Sequence, residues 1–308
     1  MGIITKGMKY RKKICDYAVK SGNMSKAARR YHKSRQYVSY WMKRYDGTIE
    51  SLRKKSTKPN SHPNEHTQEE LDLIKHMHRH HRYRGLAHVY RKCKDKGYIR
   101  TYDSMCRQIR KLELEKPKAK PPKKKKREKK EEKPKKIGEM VQVDVKYVPI
   151  SCIGFQSNHS RYYQITAIDV CSRKRVLEIT NEISTYNTSS FVEKLEEKMG
   201  FKIHGIQTDN GREFTNEAGE KESRFEKTLK KLGIDHKKTA PYSLWQNGYV
   251  ERSHREDEKF YQNKRFKSEE ELKKSVKRHE TYYNGNYRKV LGFKSANEVV
   301  KEHLQNAS

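Results

Sequence analysis

The sequence predicts an α/β domain built on a mixed sheet and preceded by small all-α units, and three observations predict it. Residues 141–147 alternate Val141, Val143, Val145 and Tyr147 with Gln142, Asp144 and Lys146, the period of a half-buried strand. From residue 137 onward, three strand-like stretches are followed by alternating helix-like and strand-like ones, an order that implies a mixed sheet flanked by helices. Before residue 137 the apolar residues recur only at helical spacing, in short stripes separated by polar turns.

Taken in order, residues 9–20 carry a stripe of Ile14, Tyr17 and Ala18, broken at Ser21-Gly22-Asn23. A second helix over residues 24–31, a tight turn and a third helix opening after Ser34 follow, with Ser34 expected to cap it. This is the pattern of a helix-turn-helix whose second helix enters the major groove. On that helix Val38, Trp41 and Met42 are expected to pack inward, leaving Arg35, Gln36, Ser39, Tyr40 and Lys43 to face DNA. Thr67 to Glu70 form a capping-box-like start, followed by Leu71, Ile74 and Met77 on one face. Helices beginning at Arg84 and Thr101 complete a second such unit, with Arg107, Gln108 and Lys111 as its DNA-facing residues. His76, His78, His80, His81 and His88 have no close cysteine pair beside them, so they are expected to be solvated, DNA-facing side chains rather than zinc ligands.

The organisation expected is a helix-turn-helix domain at 1–50, a linker at 51–66, a second helix-turn-helix domain at 67–115 and a Lys/Pro-rich linker at 116–136. A catalytic core at 137–265 and a helical extension at 266–308 follow. The core is expected to hold strands around Asp144 and over residues 162–170, 175–179, 201–208 and 236–240, five in all, with helices over 188–198 and 222–232. Residues 271–283 and the tail at 291–298 would be helical closing elements.

The charge agrees with this division. The chain of 308 residues has a formal net charge of +33. Residues 1–140 hold 42 basic against 15 acidic side chains, and the remainder 30 against 24. A polyanion partner is expected for the N-terminal part, and nucleic acid is the first candidate. Five cysteines, scattered without a paired pattern, suggest a reducing interior. No apolar run approaches a signal peptide or membrane span, so a soluble, cytoplasmic protein without membrane partners is expected.

Three acids stand in contexts that favour chemistry. Asp144 projects from the strand face opposite the valines. Asp209 ends an apolar run and precedes Asn210-Gly211, a turn signal. Glu251 falls in the first turn of a helix that follows a loop marked by Pro241, Asn247 and Gly248. One acid within a strand, one at a strand end and one at a helix start offer three oxygen ligands for a hard cation such as magnesium. Asp169, beside a turn with Ser172 and Arg173, is read instead as hydrogen bonding that turn.

The blocks Val-Asp-Val-Lys-Tyr-Val, Gln-Thr-Asp-Asn-Gly-Arg-Glu-Phe and Pro-Tyr-Ser-Leu-Trp-Gln-Asn-Gly-Tyr-Val-Glu-Arg resemble the three signature blocks of the DDE transposase and retroviral-integrase catalytic core. The resemblance covers residues 137 to the C-terminus closely, and the N-terminal half more loosely, as the helix-turn-helix region of insertion-sequence transposases. It implies a ribonuclease H-like fold, with Asp144, Asp209 and Glu251 as catalytic metal ligands for two magnesium ions, manganese being the alternative. It further implies transposition: DNA integration and recombination on double-stranded element ends and target DNA, by a homodimer or higher oligomer. Arg252, Arg255 and Lys259 would contact DNA phosphates, while Asn210 and Asn247 would either bind phosphate or shape their loops.

The sequence departs from the family pattern twice. Forty-one residues separate Asp209 from Glu251, a longer gap than is common there, with residues 216–223 resembling a loop insertion. Glu258 stands where many members carry a basic residue, and Lys259 follows it. Two other classes remain: a helix-turn-helix regulator, which leaves the acids unexplained, and a ribonuclease H-like nuclease, which cuts without joining.

Overall fold

A computed structural model describes residues 4–57, 59, 62–116, 134–156, 159, 161–216, 220–240 and 244–307. Most of the Lys/Pro-rich linker expected at 116–136, part of the loop insertion at 216–223 and the Pro241 turn lie outside the described residues. The chain divides into two compact units, Met1–Glu65 and His66–Ser308.

In the first unit, α1 (Lys6–Ser21), α2 (Met24–Arg30) and α3 (Arg35–Met42) start at side-chain caps from Thr5, Asn23 and Ser34. The Ser34 hydroxyl accepts the Tyr37 amide, as the sequence predicts, satisfying a backbone N–H that a helix start leaves unpaired. Gly22 ends α1 in the left-handed region at φ 61°, where a side chain would be strained. Ile14, Ala18, Ala27, Ala28 and Val38 form one small core. Trp41 packs with Cys15 and Leu52 while the Arg11 guanidinium lies 4.2 Å from its ring centroid.

The second unit opens with α4 (Gln68–His81), α5 (Leu86–Asp95) and α6 (Tyr102–Lys111), and the Thr67–Glu70 capping box is formed as expected. Their core of Ile74, Val89, Cys93, Met105 and Ile109 is joined by Phe293 from the C-terminal segment. Two of the five histidines depart from the solvated reading. His78 is 3% and His88 2% exposed, because each falls on the inward stripe of its helix. His78 lies 3.4 Å from Glu115, and His88 Nδ1 bonds Asn286 Oδ1 at 3.0 Å. His76 and His80 are exposed.

The α/β region contains β1 (Val141–Tyr147), β2 (Tyr163–Asp169), β3 (Arg175–Thr180), α7 (Thr185–Glu193), α8 (Leu195–Met199), β4 (Gly205–Thr208), α9 (Arg224–Leu232) and β5 (Asp235–Lys238). After these come α10 (Gly248–Tyr261), α11 (Glu269–Asn284) and α12 (Ala296–Ala307). The strands form one five-stranded sheet in the order β3-β2-β1-β4-β5. β1 pairs antiparallel with β2, and β2 with β3; β1 pairs parallel with β4, and β4 with β5. This is the mixed sheet of the ribonuclease H-like fold. Val141, Val143, Ile165, Phe191, Leu195, Ile206, Phe214 and Phe225 fill the core on one face.

The sequence reading differs from the structure in three places. Of the strand expected over 201–208, only Gly205–Thr208 forms, because the preceding amides bond elsewhere: Ile203 to Glu196 Oε1 and His204 to the Gly138 carbonyl. The polar face of β1 is also covered rather than solvated, since Gln142 is 2% exposed beneath α10. The helix expected over 291–298 begins only at Ala296.

Candidate active site

β1 and β4 run parallel with Val141 opposite Ile206 and Gln142 opposite Gln207. Two residues further along each chain stand Asp144 and Asp209, so the register alone sets these acids side by side. Asp144 is half-buried, and its Oδ1 accepts the Val145 amide at 2.9 Å. Asp209 accepts the Gly211 amide through Oδ1 at 3.0 Å, closing the turn after β4. Glu251 projects exposed from the first turn of α10.

The electrostatics bind these acids into one group. Burial, then the charge of Asp209, push the Asp144 carboxyl up to about 7, with Glu213 and Glu251 adding to the effect. Burial followed by Asp209 also raises Glu251. Burial and the neighbouring Asp209 charge thus make both Asp144 and Glu251 costlier to ionise.

Glu213 is a fourth acid that sequence reading missed. It is raised by burial and by Asp209. Its carboxylate packs so closely over Gly211 that a Cβ there would lie 2.6 Å from Glu213 Oε2. Its only sequence signal was its position four residues after Asp209. His254 was missed as well: its Nδ1 stands 3.5 Å from Asp144 Oδ2, and burial pushes its pKa down to about 4. It is therefore neutral near pH 7 and gives Asp144 no positive partner. Its buried Nε2 has no hydrogen-bond partner among the described residues.

An all-carboxylate donor set matches a hard divalent cation in kind. In position, Asp144 and Asp209 are neighbours, but among the described residues no three His, Cys, Asp or Glu side chains converge on a single metal-holding point.

The other side chains singled out in the sequence fall into two groups. Arg35, Gln36, Tyr40 and Lys43 are exposed on α3 and Ser39 is half-buried; Arg107 and Lys111 are exposed on α6, and Arg252, Arg255 and Lys259 on α10. Gln108, by contrast, is half-buried with its amide bonded to His66 Nδ1 at 3.0 Å. Asn210 donates to the Thr239 carbonyl at 3.0 Å and so ties the Asp209 turn to the end of β5. Asn247 is 4% exposed and makes no side-chain cap for α10. Asp169 is fully buried and accepts the Ser172 amide and hydroxyl and the Gly138 amide, the turn-holding role expected of it.

A mixed sheet that sets two acids side by side at the mouth of a parallel strand pair, with a third on a covering helix, defines a class of carboxylate-based α/β cores. Residues 134–243 match the integrase core domain, a segment that contains Asp144 and Asp209 and ends before Glu251. Among solved structures, the catalytic core domain of BIV integrase is similar at 18% identity and a TM-score of 0.41, over 55% of this chain and 98% of that one. A chain of the simian T-cell lymphotropic virus intasome, solved with the PP2A regulatory subunit B56 gamma, is similar at 15% identity and a TM-score of 0.37, over 65% and 66%. No curated protein matches the chain.

Proposed function

We propose that the protein is a DDE-type transposase: it binds the ends of a mobile DNA element, frees a 3′-hydroxyl and joins it to target DNA. The observation that carries this reading is the parallel register that sets Asp144 beside Asp209 inside a region that matches the integrase core, with burial and the Asp209 charge raising both Asp144 and Glu251. That match supports polynucleotidyl transfer on DNA in general, and the transposase assignment is the finer step.

Asp144, Asp209 and Glu251 would hold two divalent cations, magnesium or manganese, whose contribution when bound would be to neutralise the phosphate and to stabilise the attacking and the leaving oxygen. Neutral His254 beside Asp144 gives that carboxylate no internal cation, so a bound metal ion would be what favours its ionised form. In the first step water attacks phosphorus at the element end, the bond to the 3′-oxygen breaks, and that oxygen leaves as a hydroxyl after taking up a proton. In the second, this hydroxyl attacks a target phosphodiester in line, and the target's own 3′-oxygen departs. One phosphodiester forms for each one broken, so no external energy source is needed. Exposed Arg252, Arg255 and Lys259 on α10 meet the phosphates, Arg35, Gln36, Tyr40 and Lys43 the major groove, and Arg107 and Lys111 a further stretch of the end. Holding two ends together calls for at least a dimer on DNA.

The test is incubation of wild type and Glu251→Gln with a labelled element end and plasmid in magnesium. Joined product from wild type alone is expected. Cleavage without joining points to a nuclease, and equal joining by both proteins removes Glu251 from the chemistry. Binding without any chemistry points to a regulator.

A further inference from the structure

Helix α10 carries Glu251, yet it has no cap of its own, since the Asn247 side chain makes no capping bond. The cap comes from the sheet. Gln142 Oε1 accepts both the Tyr249 amide at 2.9 Å and the Val250 amide at 3.2 Å. The Nε2 of the same side chain donates to Gln207 Oε1 on β4 at 3.1 Å and to the Gln246 carbonyl just before α10. Gln246 in turn accepts the Ala240 amide through its own Oε1 at 2.8 Å, adding the end of β5. Gln142 and Gln207 are 2% and 5% exposed, so water cannot replace these bonds.

From this we infer that Gln142 is a positioning residue that fixes the Glu251 helix to the two strands bearing Asp144 and Asp209. The inference rests on the reading of those three acids as the site.

The chemistry of the side chain explains the residue. Four bonds use two lone pairs and two N–H groups, an inventory found in glutamine and in the shorter asparagine. The orientation of the amide is fixed by its partners, because backbone amides only donate and a carbonyl only accepts. Glutamate keeps the two acceptor bonds to α10 and loses both donor bonds; methionine has similar length and loses all four. Gln142 stands two residues before Asp144 and on the same strand face, and Gln207 two before Asp209. The staple therefore lies one step behind the acid pair and determines where Glu251 meets it. Residues that orient metal ligands without touching the metal typically matter by 10–100-fold in affinity.

The experiment uses the full chain and two readouts. Amide hydrogen exchange of the segment 246–252 is followed without metal, and Mn²⁺ binding is titrated by water-proton relaxation. For Gln142→Met we expect faster exchange centred on 246–252, 10–100-fold weaker Mn²⁺ binding and a lowered melting temperature, because four buried or half-buried groups lose their partner. Gln142→Glu should keep the exchange protection. Wild-type Mn²⁺ affinity in Gln142→Met, with binding lost in Glu251→Gln, overturns the staple and leaves the site reading intact. Unchanged affinity in Asp144→Asn and Glu251→Gln overturns both. Should Gln142→Met fail to fold, loss of protection at 246–252 in Gln142→Glu overturns the cap, and retained protection supports it.

Discussion

Two acids at helix α10, Asp257 on the helix and Asp144 facing it from β1, are treated in opposite ways. Asp257 is fully buried and fully answered: Arg175 stands 2.8 Å away, His279 Nε2 2.9 Å and the Gln164 amide 2.9 Å. Against the cost of burial, the His279 hydrogen bond and the Arg175 charge hold its pKa below the usual carboxylate range. Asp144, facing the same helix from β1, meets a neutral histidine and other acids, and its pKa is raised. An acid whose charge is met inside the protein stabilises the fold; one whose charge is left unmet is available to an external cation. The contrast separates a carboxylate paired within the fold from the one proposed above to hold a cation.

The sharpest way to break this comparison is to exchange the effects by mutation. Asp144→Asn and Glu251→Gln are each expected to cut joining by about 10³-fold or more, with the urea midpoint unchanged or raised, because a repelled charge has been removed. Equal loss of stability and activity would erase the distinction.

Asp257→Ala should do the reverse. It strands the Arg175 guanidinium, 0% exposed, against Tyr283 without its carboxylate, and urea unfolding should lose roughly 3–5 kcal/mol.

Magnesium sharpens the contrast further. A ligand that binds only the folded state stabilises it by about 2.7 kcal/mol at a hundred times its dissociation constant. The melting temperature should rise with magnesium in wild type and His279→Ala, and stay flat in Asp144→Asn.

The smallest effect is one of pH. Burial lowers the His279 pKa below 6.5, so its contribution to stability is complete above that value and is lost as the pH falls toward the folded pKa. Urea midpoints of wild type should therefore decline below pH 6.5, and more steeply than those of His279→Ala.

What the sequence disclosed and what it hid follow from the range of the interactions. Asp144 and Asp209 were legible because alternation along β1 and the turn after β4 are local, and the parallel pairing then needs only a register. Gln142 was illegible although Asp144 was visible: alternation marks it only as a polar residue opposite the valines, and its partners lie 65 to 108 residues away. His78 and His88 were misjudged because histidine carries no fixed preference for surface or core, and their helical stripes were weighed less than their polarity. The late start of β4 was hidden by Phe201 and Ile203, apolar residues whose backbones stay out of the sheet while their side chains lie in the core.

The central claim is that the adjacent acids Asp144 and Asp209 take up a divalent cation, as proposed above. Crystals of the protein soaked in Mn²⁺ and measured at the manganese absorption edge test it without any DNA. The account predicts an anomalous peak between the Asp144 and Asp209 carboxylates that disappears in Asp144→Asn. Saturating Mn²⁺ with no peak between them, in crystals that diffract equally well, would contradict it.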